Sequence, residues 1–186
     1  NAVTVELAGK RQELLKDTVA KLSRISVLWN PRSVSSAEEW KDSLLPAREL
    51  SLQLHSMEVN SADQYESVFK EAIKARSDAL VITSGSVNNS NQKGLADLAA
   101  KRRLPAISRW EEFAHSGGFM SYGPDETERY RRIAYYIDKI LKGAQPADLP
   151  VEQPKKFKLV INLKTAKQIG LTIPQWLLMK ADKLVK

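Results

Sequence analysis

From Arg24 to Tyr122 the chain alternates short apolar strands with amphipathic helices, and this alternation constrains the fold more than any other feature. Arg24–Trp29 is an apolar run of β type, stopped by Asn30-Pro31. Residues 52–59 alternate as a half-exposed strand does, and Asp78–Thr83 is apolar enough to be buried on both faces. Leu104–Ser108 and Gly118–Tyr122 complete the strands of this region. Between them the spacing predicts helices from Ser35 or Ser36 to about Glu49, from Ser61 or Asp63 to Ala75, and from about Asn91 to Arg102. A short helical turn over Glu111–His115 follows, and an amphipathic helix over Glu6–Ala20 precedes the first strand. Pro46 implies a kink or an early stop in its helix. The pattern predicts an α/β fold: an open, mainly parallel sheet with helices on both faces and right-handed crossovers.

In such sheets ligands bind beyond the carboxyl ends of the strands. That rule nominates Trp29, Asn30, Ser84, Ser86, Arg109, Trp110 and Tyr122 as candidate ligand contacts, with Thr83, Ser108 and Gly123 beside them. Hydroxyls, amides and aromatic rings suit a small polar ligand with an apolar part. Loops are polar in any case, and helix capping is the plain alternative for several of these residues. Arg109 suits a ligand carboxylate, with an ion pair to Glu111 or Glu112 as its other reading. Trp40 and Trp176 fall within helices and read as packing.

Beyond Gly123 the alternation breaks. Asp125–Leu141 is a long helix with Tyr130, Ile133, Ala134, Ile137 and Ile140 on one side, and Gly143 closes it. Residues 145–150 read as a linker and 151–154 as an extended segment, before a sixth strand over Phe157–Asn162. Two helices, Leu163–Ile169 and Pro174–Val185, are expected at the end.

Charge and composition remove several function classes. The net charge of +7 lies wholly in residues 154–186, which hold eight Lys, no Arg and one acid, whereas residues 1–153 balance 21 bases against 21 acids. Lysine lacks the planar fork that reads phosphates and bases, so this tail is a solvated face and no nucleic-acid partner is expected. With no Cys the chain has no disulfide, thiol nucleophile or thiolate metal site, and His55 and His115 stand in no metal-ligand spacing. No phosphate-binding loop or dinucleotide turn follows the first strand, so no cofactor is expected. Ser84-Gly85-Ser86 follows a strand without the flanking glycines of a nucleophile elbow or a partnered His, which argues for a binder and against an enzyme. Residues 1–4 carry no signal-peptide pattern.

The segment GAQPADLPVEQPKKFKLVINLKTAKQIGLTIP over residues 143–174 resembles the closing signature of an ABC transporter substrate-binding protein family, the tryptophan/tyrosine type of periplasmic component. The segments ELAGKRQELLK (6–16), SVLWNP (26–31) and GGFMSYGP (117–124) resemble the same family in the same order. The resemblance implies a type I periplasmic binding protein: two α/β lobes that close on a small molecule. Residues 1–124 would then be the second lobe, and 125–150 a helix and linker packing on a first lobe outside this sequence. Residues 151–186 would be the return strand and terminal helices. It implies an extracytoplasmic solute receptor, periplasmic or extracellular, that hands an amino acid or aromatic metabolite to an ABC permease. A ligand-sensing domain of a regulatory protein is the alternative that the same fold allows. A lone lobe would expose the apolar side of the 125–141 helix, so a homodimer covering it is expected. No ligand motif of the family carries over to individual residues, and the candidate contacts rest on strand-end topology.

Overall fold

The computed structural model describes residues 2–186, with side chains described from Val5 onward. Helix α1 (Ala2–Thr18) leads into strand β1 (Arg24–Trp29), α2 (Val34–Glu49), β2 (Gln53–Glu58), α3 (Tyr65–Lys74) and β3 (Ala79–Ile82). A single turn α4 (Ser86–Asn89) precedes α5 (Gln92–Lys101), β4 (Ala106–Ser108), α6 (Glu111–His115) and β5 (Met120–Pro124). The remainder comprises α7 (Glu126–Leu141), β6 (Phe157–Asn162), α8 (Leu163–Ile169), α9 (Gln175–Lys180) and β7 (Lys183–Val185).

The strands form one sheet in the order β2-β1-β3-β4-β5-β6-β7. β1 to β5 run parallel, β6 joins β5 antiparallel, and β7 lies parallel to β6. Buried apolar side chains cover both faces, as a parallel sheet requires. In β3 the period of two is plain: Ala79 and Val81 face one core with Leu14, Leu15 and Ala47, whereas Leu80 and Ile82 face another with Phe69, Leu95 and Phe113. Thus α1, α2, α8 and α9 cover one side, and α3, α5 and α6 the other.

Three expectations are corrected. α2 runs through Pro46 to Glu49 without an early stop, and the buried Pro46 ring packs against Gly9 of α1. The final helix ends at Lys180, not Val185, and the chain continues as β7. Asp182 accounts for the change: its carboxylate accepts the Leu159 N–H (2.7 Å) while its own N–H donates to the Leu159 carbonyl (2.9 Å). Trp176, expected to pack, is 41% exposed.

α7 stands apart. Asp125 caps it by accepting the Thr127 N–H (2.9 Å), yet none of its residues is buried, and Tyr130, Ile133, Ile137 and Ile140 are exposed.

At the opposite end of the sheet from the loops described below, Asp78 ties β3 to the start of β1. One carboxylate oxygen accepts from Ser23 N (2.9 Å), Ser23 Oγ (3.0 Å) and Arg24 N (2.9 Å). Partial burial pushes the Asp78 carboxyl upward, but these hydrogen bonds and the Arg24 charge prevail and hold it below its ordinary value. A depressed folded-state pKa means the stabilisation is present above the unfolded value and disappears as pH falls through the folded one. Asp78→Asn is therefore expected to cost about 1–2 kcal/mol at neutral pH. The difference from the parent should begin to shrink as the pH falls through the ordinary Asp value and vanish only below the depressed folded-state one, which urea melts in steps from pH 7 to pH 2 will measure.

Candidate functional site

The loops after β1, β3 and β4 meet at the carboxyl edge of the sheet around an open depression of about 710 Å³. Asn30, Arg32, Ser33 and Ser35 line it from the first loop, Ser84, Gly85 and Ser86 from the second, and Arg109 and Trp110 from the third. Asn60, Val87, Asn89 and Arg129 complete its edge. Arg32, Arg109 and Arg129 are among the lining residues, none of which carries a carboxylate, and Arg129 is ion-paired with Glu126.

Each loop is held by hydrogen bonds that the local sequence dictates. The buried Asn30 N–H donates to Ser36 Oγ (2.9 Å), and Asn30 Oδ1 accepts the Arg32 N–H (2.8 Å) in an Asx turn. Ser36 Oγ lies 2.6 Å from Thr83 Oγ1, which itself donates to the Leu28 carbonyl (2.8 Å), so the first two loops are stitched together. Gly85 takes φ +134° with Ser33 Oγ 3.3 Å from where a Cβ would sit, a conformation that L side chains rarely adopt. Behind it Asn88 Nδ2 donates to the Thr83 carbonyl (3.1 Å) and Asn88 Oδ1 accepts from the Tyr65 hydroxyl (3.0 Å), whose pKa burial raises to about 12.

The third loop is set by two contacts. Gly123 of β5 passes so close that a Cβ there would lie 2.0 Å from the Arg109 carbonyl oxygen. The Arg109 guanidinium lies over the Trp110 ring, 4.9 Å from its centroid, a cation–π arrangement. The Trp110 indole N–H is shielded from solvent without a protein acceptor.

Beneath the depression lies Glu39 of α2, 8% exposed. Its Oε1 accepts from Ser84 Oγ (2.5 Å) and Arg109 Nη1 (3.4 Å), and its Oε2 from Ser84 N (3.3 Å) and Arg11 Nη2 (3.4 Å). Arg11, on α1, is 3% exposed and also donates to the Tyr122 carbonyl (3.5 Å). Burial lowers the Arg11 pKa, and the Glu39 charge opposes that shift. Arg109 thus pairs with neither Glu111 nor Glu112.

Of the residues nominated by strand-end position, Asn30, Ser84, Ser86, Arg109 and Trp110 line the depression, and Trp29 and Tyr122 do not. The Trp29 ring stacks on Trp40 at 5.8 Å and donates its indole N–H to Ser56 Oγ (2.7 Å). Tyr122 lies against Phe157 (6.2 Å) and the core beneath α1, because the pleat of β5 turns residues 120 and 122 to that face. Arg32, Ser33, Ser35, Asn60, Arg129 and the buried Glu39–Arg11 pair were not foreseen. The usable signal was the inward stripe of α2, where Ser36, Glu39, Ser43 and Ala47 recur at helical spacing and place a charge on the buried face.

A smaller groove of about 240 Å³ lies between α7 and residues 152–156. In it Arg132 pairs with Glu152 and Lys156 with Glu128, and the Tyr136 hydroxyl donates to the Pro150 carbonyl (2.7 Å). Arg132 Nε is enclosed there without a protein acceptor. Among the described residues no group of three or more His, Asp or Glu side chains is placed to hold a metal, and no helix is long and apolar enough to cross a membrane.

Residues 3–185 match the family model described as ABC transporter substrate binding protein, and the chain belongs to that family. Among solved structures it resembles the ABC domain from Streptococcus pneumonia in complex with L-Trp, at 23% identity and TM-score 0.86, over 96% of this chain and 62% of that one. A conserved domain protein from Vibrio cholerae matches at 24% identity and TM-score 0.87, over 95% and 60% of the two chains. A ligand-free, open substrate binding protein with adhesive properties from Clostridium difficile matches at 18% identity and TM-score 0.71, over 94% and 58%. At these identities the likeness is one of fold, and the chain spans about three fifths of the length of each of these structures. No curated protein matches the chain.

Proposed function

We propose that this chain forms one lobe of an extracytoplasmic solute receptor, periplasmic or extracellular, that delivers a small molecule to an ABC permease. The ligand sits in the depression at the ends of β1, β3 and β4, and closure of a second lobe over it completes the site. The observation that carries this reading is the carboxylate-free rim, in which Arg109 rests on Trp110 with most of its N–H groups uncommitted. A cation on an aromatic plate takes a ligand carboxylate through the charge and an apolar side group through the ring. An amino acid or aromatic metabolite meets both demands. The L-Trp held by the Streptococcus protein makes that compound the first probe to try.

The exposed apolar side of α7 fits the same reading, since a second lobe would give Ile133, Ile137 and Ile140 a surface to cover them.

The test is a thermal-shift and calorimetric panel of amino acids, nucleobases and aromatic acids on the full-length gene product. A ligand at one hundred times its Kd is expected to stabilise the protein by about 2.7 kcal/mol. Arg109→Ala is expected to weaken its binding by about 10- to 100-fold. A panel hit whose affinity ignores Arg109→Ala would move the ligand elsewhere.

A further inference from the structure

Glu39 lines no part of the depression, yet it touches both of the loops that carry the proposed anion contacts. We propose that Glu39, anchored by Arg11 of α1, is a positioning residue that presets Arg109 and Ser84 to receive the ligand's anionic group. The inference rests on the reading of the depression as the ligand site and assigns to it two residues that no ligand reaches.

The geometry gives each oxygen of Glu39 two tasks. Oε1 holds the Ser84 hydroxyl and one N–H of Arg109, while Oε2 holds the Ser84 amide and Arg11. A buried carboxylate fixed at both oxygens cannot rotate, so the groups that it holds inherit one orientation. Glu39 occupies a single nitrogen of Arg109, and Trp110 supports one face of the guanidinium plane. Among the described residues the other N–H groups of Arg109 have no hydrogen-bond acceptor. The fork is thus held at its back and open at its front. Fixing a charged side chain before binding removes part of the ordering cost that association would otherwise carry.

The charges point the same way. Arg11, Glu39 and Arg109 sum to one uncompensated positive charge. Arg11 is enclosed, so that charge reaches solvent only through Arg109, whose side chain is 28% exposed. A ligand monoanion at Arg109 would complete an alternating set of two guanidinium groups and two carboxylates. Arg11 also donates to the Tyr122 carbonyl at the end of β5, so the place of α1 against the sheet is read directly by the group that aims Arg109.

A tie that merely stabilised the fold would have the same contacts, and the double variant Arg11→Met/Glu39→Gln separates the two roles. Removing a buried pair together spares the remaining charge its unpaired burial, so melting is expected near that of the parent, whereas each single variant melts lower. Calorimetry on the full-length gene product then compares L-tryptophan with its methyl ester, which lacks the anion. The parent is expected to prefer the acid by at least about tenfold, and the folded double variant to lose most of that preference. A double variant that keeps the preference within twofold of the parent overturns the proposal.

A ligand-free arm keeps this outcome distinct from failure of the site reading itself. The Arg109 side-chain N–H resonance is expected to be slow to exchange in the parent and broadened or lost in the double variant. An unchanged resonance overturns the proposal even if L-tryptophan does not bind, whereas absent binding with the expected resonance change counts against the ligand assignment alone.

Discussion

Glu39→Ala is expected to destabilise the protein by about 3–5 kcal/mol, because it leaves the Arg11 charge buried without a counter-ion. Arg11 would retain one long hydrogen bond to the Tyr122 carbonyl, and its Nε is already enclosed without a partner. The Arg11 side chain is only 4% exposed, so bulk solvent screens the unpaired charge poorly. The Ser84 hydroxyl and amide lose their acceptor in the same step. At about 2–4 °C per kcal/mol for a chain of this size, the melting temperature should fall by roughly 6–20 °C. Urea melts will measure the loss directly. A change within about 0.5 kcal/mol, the range of an ordinary surface substitution, would mean that Arg11 is not held as described.

The second large effect belongs to Gly123→Ala. A Cβ at this position meets the Arg109 carbonyl oxygen at 2.0 Å and its carbonyl carbon at 3.0 Å. Both obstacles are backbone, so no rotamer change relieves them, and β5 must separate from the loop after β4. The expected cost is about 3 kcal/mol, at the upper end of overpacking. Ligand affinity should fall with it, since the displaced segment carries Arg109 and Trp110 away from Glu39. Gly94→Ala serves as the control. Beyond the backbone of its own helix no atom lies within 4 Å of its added Cβ, and it sits inside α5, so it should stabilise by up to about 1 kcal/mol. Equal effects of the two substitutions would contradict the close approach at Gly123.

These two residues also mark what a sequence can and cannot disclose. β3 was legible because four consecutive apolar residues, Ala79–Ile82, must be buried on both faces, and α7 because its apolar stripe repeats at helical spacing. The open, mainly parallel α/β sheet followed from the alternation alone. β7 was not legible, since its three residues are shaped by the pairing of Asp182 with Leu159, which no local pattern encodes. The strand-end rule gathered Asn30, Ser84, Arg109 and Trp110 around one depression but could not say to which face a terminal side chain turns. Trp29 therefore went to Trp40 and Tyr122 to the core beneath α1. Glu39 meets partners 28, 45 and 70 positions away, and only the fold brings them together.

The most direct measurement is amide chemical-shift mapping of the full-length gene product titrated with L-tryptophan or the strongest ligand of the panel. Saturable shifts concentrated at residues 30–35, 84–87 and 109–110 are expected. Saturable binding that leaves those amides unmoved, and shifts instead the groove between α7 and residues 152–156, would contradict the assignment of the ligand site.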